Sequence, residues 1–345
     1  MPTRVYAAVL MPLCLAVSGC LLDFSPRDDV VVMSYNLMTL FDPVDQGNEY
    51  DDFSVAKGYW SAVLYRERVR LMADAILLAE PDGPDILVVQ EAENERVVSD
   101  LADELGGYPY LADAPPDGAA LGCGILSRYP VLALRAHRVQ DSAAADGSSQ
   151  RTMLEAELDV GGKRLVVLAV HWKSKLGGAE ETEGDRRLAA SLVRAVLAER
   201  LAADPSLALI VAGDFNENPD EYERVSMAYP TALMPAGSGA GSCVLISDNA
   251  GTVLGQEPGQ AGGPVLYCPW TRGYSYRYAG VDERIDNMLM TAGALGPGGF
   301  TLTEFGAAIT EPLVDDDGNP VAWNSRLGEG WSDHLPLRAV LSPAP

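Results

Sequence analysis

Short apolar runs bordered by a polar side chain recur along this 345-residue chain, and they constrain its fold more than any other feature. Runs such as VVVMSYN, DILVVQE and LALIVAGD have the length and composition of central strands in a sheet. A carboxylate, amide or imidazole borders each run, and these side chains are Asn36, Glu91, His171, Asp214, Asn216, Asp286, Asp333 and His334. Because buried polar groups must find partners, we expect these side chains to cluster at one end of the core.

The rest of the pattern mixes helices with hairpins. Amphipathic helices are predicted near residues 61–80 and 183–201, the second with a capping box formed by Thr182 and Asp185. Strands that alternate with helices in some stretches and form hairpins in others predict an α/β fold of packed mixed sheets with outer helices. No composition break divides residues 30–345, so we expect a single domain there. Residues 231–280 are rich in glycine and aromatics, and they predict a long loop.

The N-terminus predicts export. An apolar run from Val5 to Val17 is too short to span a bilayer and has the form of a signal-peptide core. It ends in VSGC, which resembles a bacterial lipobox. We expect residues 1–19 to be a lipoprotein signal peptide, Cys20 to carry the lipid, and residues 20–29 to be a tether to a bacterial membrane, the outer one because Leu21 follows the cysteine. An ordinary signal peptide or a buried strand is the alternative.

The charge balance limits the partners of this chain. The formal net charge is −24, which argues against a basic DNA-binding module, because such modules hold phosphates with Lys and Arg. A polyanionic substrate would require metal ions or a local basic patch. Lys173, Lys175 and Arg284 lie near the polar strand ends in the sequence and are candidate phosphate contacts. The alternative is that they are solvated or paired with acids.

Cysteine use adds one further expectation. Cys243 and Cys268 bracket a Gly-rich stretch, and an oxidising compartment would allow them to form a disulfide. Two free thiols are the alternative. Cys123 lies in an apolar stretch and is expected to be a small buried hydrophobe.

The polar residues at the strand ends favour a hard divalent metal. Carboxylate and amide oxygens suit Mg²⁺ or Mn²⁺. Zinc is disfavoured, because the chain has only three histidines and no cysteine pair with ligand spacing. The acidic stretch DPVDQGNEYDD leaves a Ca²⁺ site open as a less favoured interpretation.

The sequence blocks SYN, VVQEAEN, AVHWKSK, AGDFNENP, RIDNMLM and WSDHLPL occur in this order between residues 30 and 342. In this order they resemble the endonuclease/exonuclease/phosphatase superfamily, the deoxyribonuclease-I-like fold. Within this superfamily, the sequence most resembles the bacterial extracellular nuclease-like branch. It implies a four-layer α/β sandwich of two packed mixed β-sheets with outer helices.

The resemblance also implies roles for the metal-side residues. Asn36 and Glu91 match the residues that hold a divalent metal near the scissile phosphate, and Asp333 matches a metal-side carboxylate.

Five more residues match the catalytic positions of that superfamily. Asp214 and Asn216 match the pair that positions or deprotonates the attacking water. His334 matches the histidine beside the phosphate, with Asp286 as its orienting carboxylate. His171 matches a histidine that stabilises the phosphorane or the leaving group. Whether Asp214 or the Asp286–His334 pair is the base stays open.

Two positions depart from the pattern of these sequences. Val170 stands where an asparagine often precedes the histidine, and Cys123 stands where asparagine is usual. Both leave the substrate class open. Trp270 to Tyr278 form an aromatic segment that could stack on a substrate. Gly213 is expected to keep space free beside the phosphate.

These observations support three hypotheses. The first is a monomeric, lipid-anchored, Mg²⁺-dependent nuclease that cleaves DNA or RNA by in-line attack of an activated water. The second is a hydrolase of phospholipids, small phosphodiesters or phosphomonoesters, such as a sphingomyelinase-like enzyme or a phosphatase. The third is a surface lipoprotein that binds a partner without catalysis.

Overall fold

The computed structural model describes residues 29–114, 120–138, 152–239, 241–256 and 263–344. The predicted signal peptide, the predicted lipidation site Cys20 and nearly all of the predicted tether lie outside the described residues. Among the helices of the described ranges, none is both long and apolar enough to cross a membrane.

Within the described residues, six strands form the first sheet, in the order β15-β16-β1-β2-β4-β3. The strand β1 pairs in parallel with β2, whereas the other neighbours are antiparallel. The bounds of these strands are β1 Val30–Leu40, β2 Ile86–Ala92, β3 Tyr110–Ala114, β4 Gly122–Ser127, β15 Phe300–Ala307 and β16 Leu337–Pro343.

The second sheet has eight strands in the described ranges, in the order β5-β6-β7-β8-β14-β11-β10-β9. It is also mixed, because β7 and β8 run parallel while β8 and β14 run antiparallel. Its strands are β5 Val131–His137, β6 Met153–Val160, β7 Lys163–His171, β8 Ala208–Asp214, β9 Leu233–Pro235, β10 Val244–Ser247, β11 Val265–Tyr267 and β14 Asp286–Met290. A separate hairpin pairs β12 Tyr276–Tyr278 with β13 Val281–Glu283.

The helices cover the outer faces of the two sheets. The described helices are α1 Ala62–Ala79, α2 Glu95–Glu104, α3 Glu183–Ala203, α4 Glu221–Arg224, α5 Ala250–Leu254 and α6 Ala292–Leu295, with a 3-10 turn at Asp51–Phe53. Alternation along β1 shows how the layers form: Val30 and Val32 pack toward the second sheet, whereas Met33 and Tyr35 pack with α1 and α2. The predicted sandwich of two mixed sheets with outer helices is confirmed.

Two local predictions are wrong. Residues 231–280 are not one long loop. The strands β9, β10 and β11 form within them and extend the second sheet, and α5 lies between β10 and β11. Each of these strands has only three or four residues, too few to give a clear periodic pattern. Thr182 does not cap α3 with its side chain; instead its hydroxyl donates to the Gly178 carbonyl at 2.7 Å.

The expected disulfide between Cys243 and Cys268 is also wrong, since both are free, buried thiols. The cause is the parallel pairing of β10 with β11, in which Leu245 faces Val265 and Ser247 faces Tyr267. Cys243 precedes β10 and Cys268 follows β11, so the two lie near opposite ends of the strand pair. Five positions of a strand span about 16 Å, well beyond the roughly 7 Å between Cα atoms that a disulfide tolerates.

Candidate active site

The polar strand ends of both sheets meet at one edge of the sandwich. Asn36 on β1 and Glu91 on β2 come from the first sheet, and His171, Asp214 and Asp286 come from the second. Asp214 lies opposite His171 on one side and opposite Asp286 on the other in the register of the second sheet. The sequence pattern therefore predicts the cluster because the carboxyl ends of the parallel strands β1, β2, β7 and β8 lie at one edge of the core.

The Asp214 carboxylate is the centre of this cluster. Its Oδ2 accepts hydrogen bonds from Asn36 Nδ2 at 3.1 Å and from Asn216 Nδ2 at 3.0 Å. His171 Nε2 is 3.5 Å from the same oxygen, and His334 Nε2 is 4.0 Å from it. The carboxylate is buried at 2% exposure, so its charge is balanced by these donors rather than by bulk water.

Glu91 is held by the chain that follows Asn36. Its Oε2 accepts from the Thr39 amide at 2.7 Å and from the Thr39 hydroxyl at 3.0 Å. Its Oε1 faces Asn36 Nδ2 at 3.3 Å and His171 Nε2 at 3.6 Å. Glu91 itself has a left-handed backbone with φ of 62°, which is uncommon for a residue other than glycine and is found at functional sites.

His334 and Asp286 form a buried pair. Asp286 Oδ2 is 2.8 Å from His334 Nδ1, which turns Nε2 of the imidazole toward Asp214. Burial alone lowers the pKa of His334, but the Asp286, Asp333 and Asp214 carboxylates together hold that pKa well above its usual value. The three carboxylates therefore favour the imidazolium form of His334, which is suited to stabilise negative charge.

Asp333 lies beside this pair. Burial raises the pKa of Asp333; the His334 imidazolium opposes this shift, and the Glu91 carboxylate adds to it. One carboxylate oxygen from each of Asp214 and Asp286 and one ring nitrogen of His334 lie within 4.8 Å of one another, a group that could hold a metal ion and that does not include Asp333. Asp286 engages Nδ1 of the His334 ring, while Nε2 of the same ring faces Asp214.

Asn216 completes the site through an unusual backbone. Its φ of 49° turns the side chain back, so that Nδ2 reaches both Asp214 and the Trp172 carbonyl, at 3.1 Å for the latter. Phe215 points the other way and packs edge-on against Trp172 with ring centroids 4.5 Å apart. Asp214 and Asn216 therefore lie on the same side of the chain.

Gly213 has a different role from the one predicted. Its φ is 147°, and a Cβ at this position would lie 1.9 Å from the Val170 carbonyl oxygen on β7. The glycine thus lets β7 and β8 approach each other, and the space it leaves is against the neighbouring strand rather than against a phosphate.

We expect Gly213→Ala to lower the free energy of unfolding by roughly 3 kcal/mol or more, because strands β7 and β8 must separate. Urea denaturation followed by circular dichroism measures it. Gly184→Ala is the matched control, since Gly184 is exposed on α3 with nothing within 4 Å of the added Cβ. That change should stabilise by about 0.5–1 kcal/mol. Equal effects of the two changes would contradict the assignment.

The predicted basic contacts differ in availability. Lys175 Nζ is bound to Glu221 at 2.5 Å, and Arg284 lies 3.7 Å from Asp220, so both have acidic partners. Lys173 is exposed and makes no ion pair with any other described residue. Of these three basic residues, Lys173 is therefore the one most available to bind a phosphate.

The aromatic segment divides into core and surface residues. Trp270 is buried, packs on Phe305 and donates to the Asp286 carbonyl at 3.0 Å, so it supports the sheet and cannot stack on a substrate. Tyr276 packs on the His334 ring with centroids 4.8 Å apart. Tyr278, on the same hairpin, is 69% exposed.

The two departures from the superfamily pattern both lie in the core. Val170 lines a small cavity together with Ala189 and Leu192 of α3, and it is buried in the core cluster. Cys123 on β4 is buried in the same core cluster between the sheets. An asparagine at either position would bring a polar amide into this apolar core, where it would need hydrogen-bond partners.

Sequence reasoning missed the residues that orient the cluster. Thr39 binds Glu91, and Ser332 donates to the Asn36 carbonyl at 2.7 Å while accepting from the His334 amide at 3.1 Å. Ser275 accepts from the Asp286 amide at 3.1 Å. Each is a common residue type that no local pattern distinguishes, and only the fold brings it to its partner.

The donor set fits a hard divalent cation. Glu91, Asp214, Asp286 and Asp333 bring four carboxylates to one edge, and those of Asp214 and Asp286 are buried. Carboxylates held together away from water are costly unless a cation or proton donors offset their charge. The set contains no cysteine, so it fits Mg²⁺ or Mn²⁺ better than zinc.

A family model described as "Endonuclease/Exonuclease/phosphatase family" matches residues 31–228, more than half of the 345-residue chain. No curated protein matches the chain in sequence.

Several solved structures share the fold. ANGEL2, a 2',3'-cyclic phosphatase, is 16% identical with a TM-score of 0.58, over 91% of this chain and 95% of its own. The endonuclease/exonuclease/phosphatase from Bacteroides vulgatus is 16% identical with a TM-score of 0.53, over 92% and 100%. TDP2 from Caenorhabditis elegans is 17% identical with a TM-score of 0.52, over 91% and 74%. At these identities the likeness shows the sandwich fold alone.

Proposed function

Because the chain belongs to the endonuclease/exonuclease/phosphatase family, we propose that it is a metal-dependent phosphodiester hydrolase and that its substrate is DNA or RNA outside the cytoplasm. One observation carries the hydrolase assignment. The carboxylate of Asp214 lies between amide donors from Asn36 and Asn216 and the imidazoles of His171 and His334. Such a set can orient a water, accept its proton and stabilise a phosphorane.

Asp214 is the base in this proposal. The carboxylates around the His334 ring raise its pKa and favour its protonated form, and its Nε2 lies 4.0 Å from Asp214 Oδ2, so Asp214 is the better placed acceptor for the proton of the water. Asp214 Oδ2 accepts that proton while the water oxygen attacks phosphorus, and Asn216 orients the water or a phosphate oxygen. His334 stabilises the charge that develops on the phosphoryl oxygens. His171 stabilises the phosphorane or the leaving oxygen as the P–O bond breaks.

The proposed metal is Mg²⁺ or Mn²⁺, with Ca²⁺ as a less suited ion. Glu91 and Asn36 would hold it, with Asp333 on the same side of the cluster. When bound, a divalent cation polarises the phosphoryl oxygen and offsets the negative charge of the transition state. It would also offset the negative charge of the four carboxylates at the site, in a chain whose formal net charge is −24.

The exposed surface beside the site favours nucleic acid. Tyr278 lies two residues beyond Tyr276, which packs on His334. An exposed aromatic ring is therefore available beside the active site for base stacking. Lys173 directly follows the buried Trp172 and can meet a backbone phosphate. Among proteins of the same fold, ANGEL2 is a 2',3'-cyclic phosphatase, which keeps a small phosphoester as the second candidate.

The polarity of β1 also bears on the substrate, if Cys20 is lipidated as proposed. The described chain enters the sheet at Val30, while Asn36 lies six positions later, about 20 Å along the strand. The tether would therefore attach at the end of the sheet opposite the active site. Such a placement turns the site away from the anchoring membrane, which favours a soluble polymer over the phospholipids of that membrane.

A substrate panel tests this proposal. The purified full-length protein, in detergent, is given supercoiled plasmid, single-stranded RNA, sphingomyelin vesicles and a 2',3'-cyclic nucleotide, each with Mg²⁺ or with EDTA. We expect plasmid nicking or RNA cleavage that EDTA abolishes. Cleavage of sphingomyelin or of the cyclic nucleotide without nucleic-acid cleavage would transfer the assignment to the second candidate. No turnover of any substrate would contradict hydrolysis and favour a binding lipoprotein.

A further inference from the structure

Arg68 is a buried arginine that lies beneath the candidate metal site. It projects from α1 and has no solvent-exposed surface. Its Nη2 donates to the carbonyls of Leu37 at 2.8 Å and Met38 at 3.3 Å. Its Nη1 donates to the Trp331 carbonyl, and its guanidinium lies 4.9 Å from the centre of the Trp323 ring. One side chain thus joins two distant segments of the chain.

The first segment is the end of β1 directly after Asn36. Met38 and Thr39 both have left-handed backbones, with φ of 50° and 60°. Such a conformation costs roughly 1–2 kcal/mol for each residue that is not glycine, so it needs external support. Thr39 is the residue that binds Glu91 through both its amide and its hydroxyl. The support given to Leu37 and Met38 therefore also sets the position of Glu91.

The second segment carries Asp333 and His334. Arg68 binds the carbonyl of Trp331, and the next residue, Ser332, links Asn36 to His334 through its hydroxyl. Because both segments are bound to one guanidinium, a shift of either segment would change the distance between Glu91 and the Asp333–His334 segment.

We propose that Arg68 is a positioning residue that fixes the ligands of the divalent metal by joining the Leu37–Met38 and Trp331 carbonyls. This inference rests on the metal site of the proposed function. The planar guanidinium is required, because its two terminal nitrogens bind separate carbonyl groups at fixed separation, which an ammonium cannot do in the same geometry.

A purely electrostatic role of Arg68 predicts the opposite sign. Burial lowers the pKa of Arg68 to about 10, so the side chain is still charged at neutral pH. A fixed positive charge near Glu91 and Asp333 repels a cation, and its removal alone would tighten metal binding. Positioning and charge can therefore be separated by the direction of the change in metal affinity.

The test is the dissociation constant for Mn²⁺, measured from the free ion by electron paramagnetic resonance, on full-length protein. Arg68→Lys keeps the charge and loses the fork, whereas Arg68→Met loses both but fills the space with an apolar chain that buried sites often tolerate. Arg186→Lys is the matched control. Arg186 is the other fully buried arginine among the described residues and also binds backbone carbonyls, at Lys173 and Ala179, but it does not contact the Leu37–Met38 or Trp331 segment.

We expect both Arg68 variants to weaken Mn²⁺ binding by roughly 10- to 100-fold, with Arg186→Lys unchanged within about twofold. Ser332→Ala tests the same junction without altering Arg68 and should weaken binding severalfold even if an Arg68 variant does not fold. Unchanged or tighter Mn²⁺ binding in the folded Arg68 variants and in Ser332→Ala would overturn the positioning role of Arg68 but not the proposed metal site. Failure of the unaltered protein to bind Mn²⁺ would overturn the proposed metal site as well.

Discussion

Asp214→Asn is expected to lower kcat for phosphodiester hydrolysis by about 10³-fold, with little change in KM. The amide has nearly the same shape, but it cannot accept the proton of the attacking water, and general-base catalysis is typically worth about 10²- to 10⁴-fold. Steady-state kinetics at saturating Mg²⁺ measures the change. The substitution removes a buried negative charge from a cluster of carboxylates, so we expect the melting temperature to stay the same or rise.

The control for this prediction is Asp103→Asn. Asp103 is an exposed carboxylate on α2, and the same chemical change there should leave kcat and stability unaltered within error. A residual activity of Asp214→Asn above about one tenth of the original would contradict the assignment of Asp214 as the base. An equal loss in Asp103→Asn would indicate a general effect of charge rather than a role at the site.

His334→Ala is the second large effect, and we expect kcat to fall by about 10²- to 10³-fold. Asp286 orients the His334 ring so that its Nε2 lies 4.0 Å from Asp214, and alanine removes this hydrogen-bond donor and its positive charge together. Asp286→Asn should lower kcat by a smaller factor, because the imidazole stays. It is then oriented less firmly, and its pKa falls. KM–kcat analysis of the two single variants and the double variant measures these effects.

The double variant separates the two roles. If Asp286 acts through His334, the double variant should lose no more activity than His334→Ala alone. Multiplication of the two single losses would mean that Asp286 acts independently, for example as a metal ligand. Correct folding is checked by the near-ultraviolet circular dichroism of each variant, since Asp286 also lies in the register of β8 and β14.

The sequence pattern predicts the sandwich and the membership of the cluster well, for a physical reason. Apolar runs on β1, β2, β7 and β8 are long enough to indicate strands. The polar residue at the end of each run must find hydrogen-bond partners, because it lies beside a packed apolar core. Asp214 and Asn36 are 178 positions apart in sequence, yet parallel strands bring their ends to one edge.

Features that depend on the pairing of short strands could not be predicted in the same way. The strands β9, β10 and β11 have three or four residues each, so residues 231–280 read as a loop, and the separation of Cys243 from Cys268 follows only from the register of these strands. The contact between Gly213 and Val170 likewise depends on how closely β7 and β8 approach.

The supporting residues were missed for another reason. Arg68, Thr39 and Ser332 contact partners far away in sequence through hydrogen bonds to backbone or side chain, and no local pattern marks an arginine on an amphipathic helix as buried. Arginine is almost never fully buried unless paired, so residue type alone does not mark Arg68 as a core residue.

The central claim is metal-dependent hydrolysis of a phosphodiester at the Asp214 cluster. The most direct test is the rate of p-nitrophenol release from bis(p-nitrophenyl) phosphate by the full-length protein, first stripped with EDTA and then titrated with Mg²⁺ or Mn²⁺. The account predicts a background rate in EDTA, a saturable recovery of at least about 10²-fold with the metal, and no recovery in Asp214→Asn. The same rate with and without metal, or full recovery in Asp214→Asn, would contradict it.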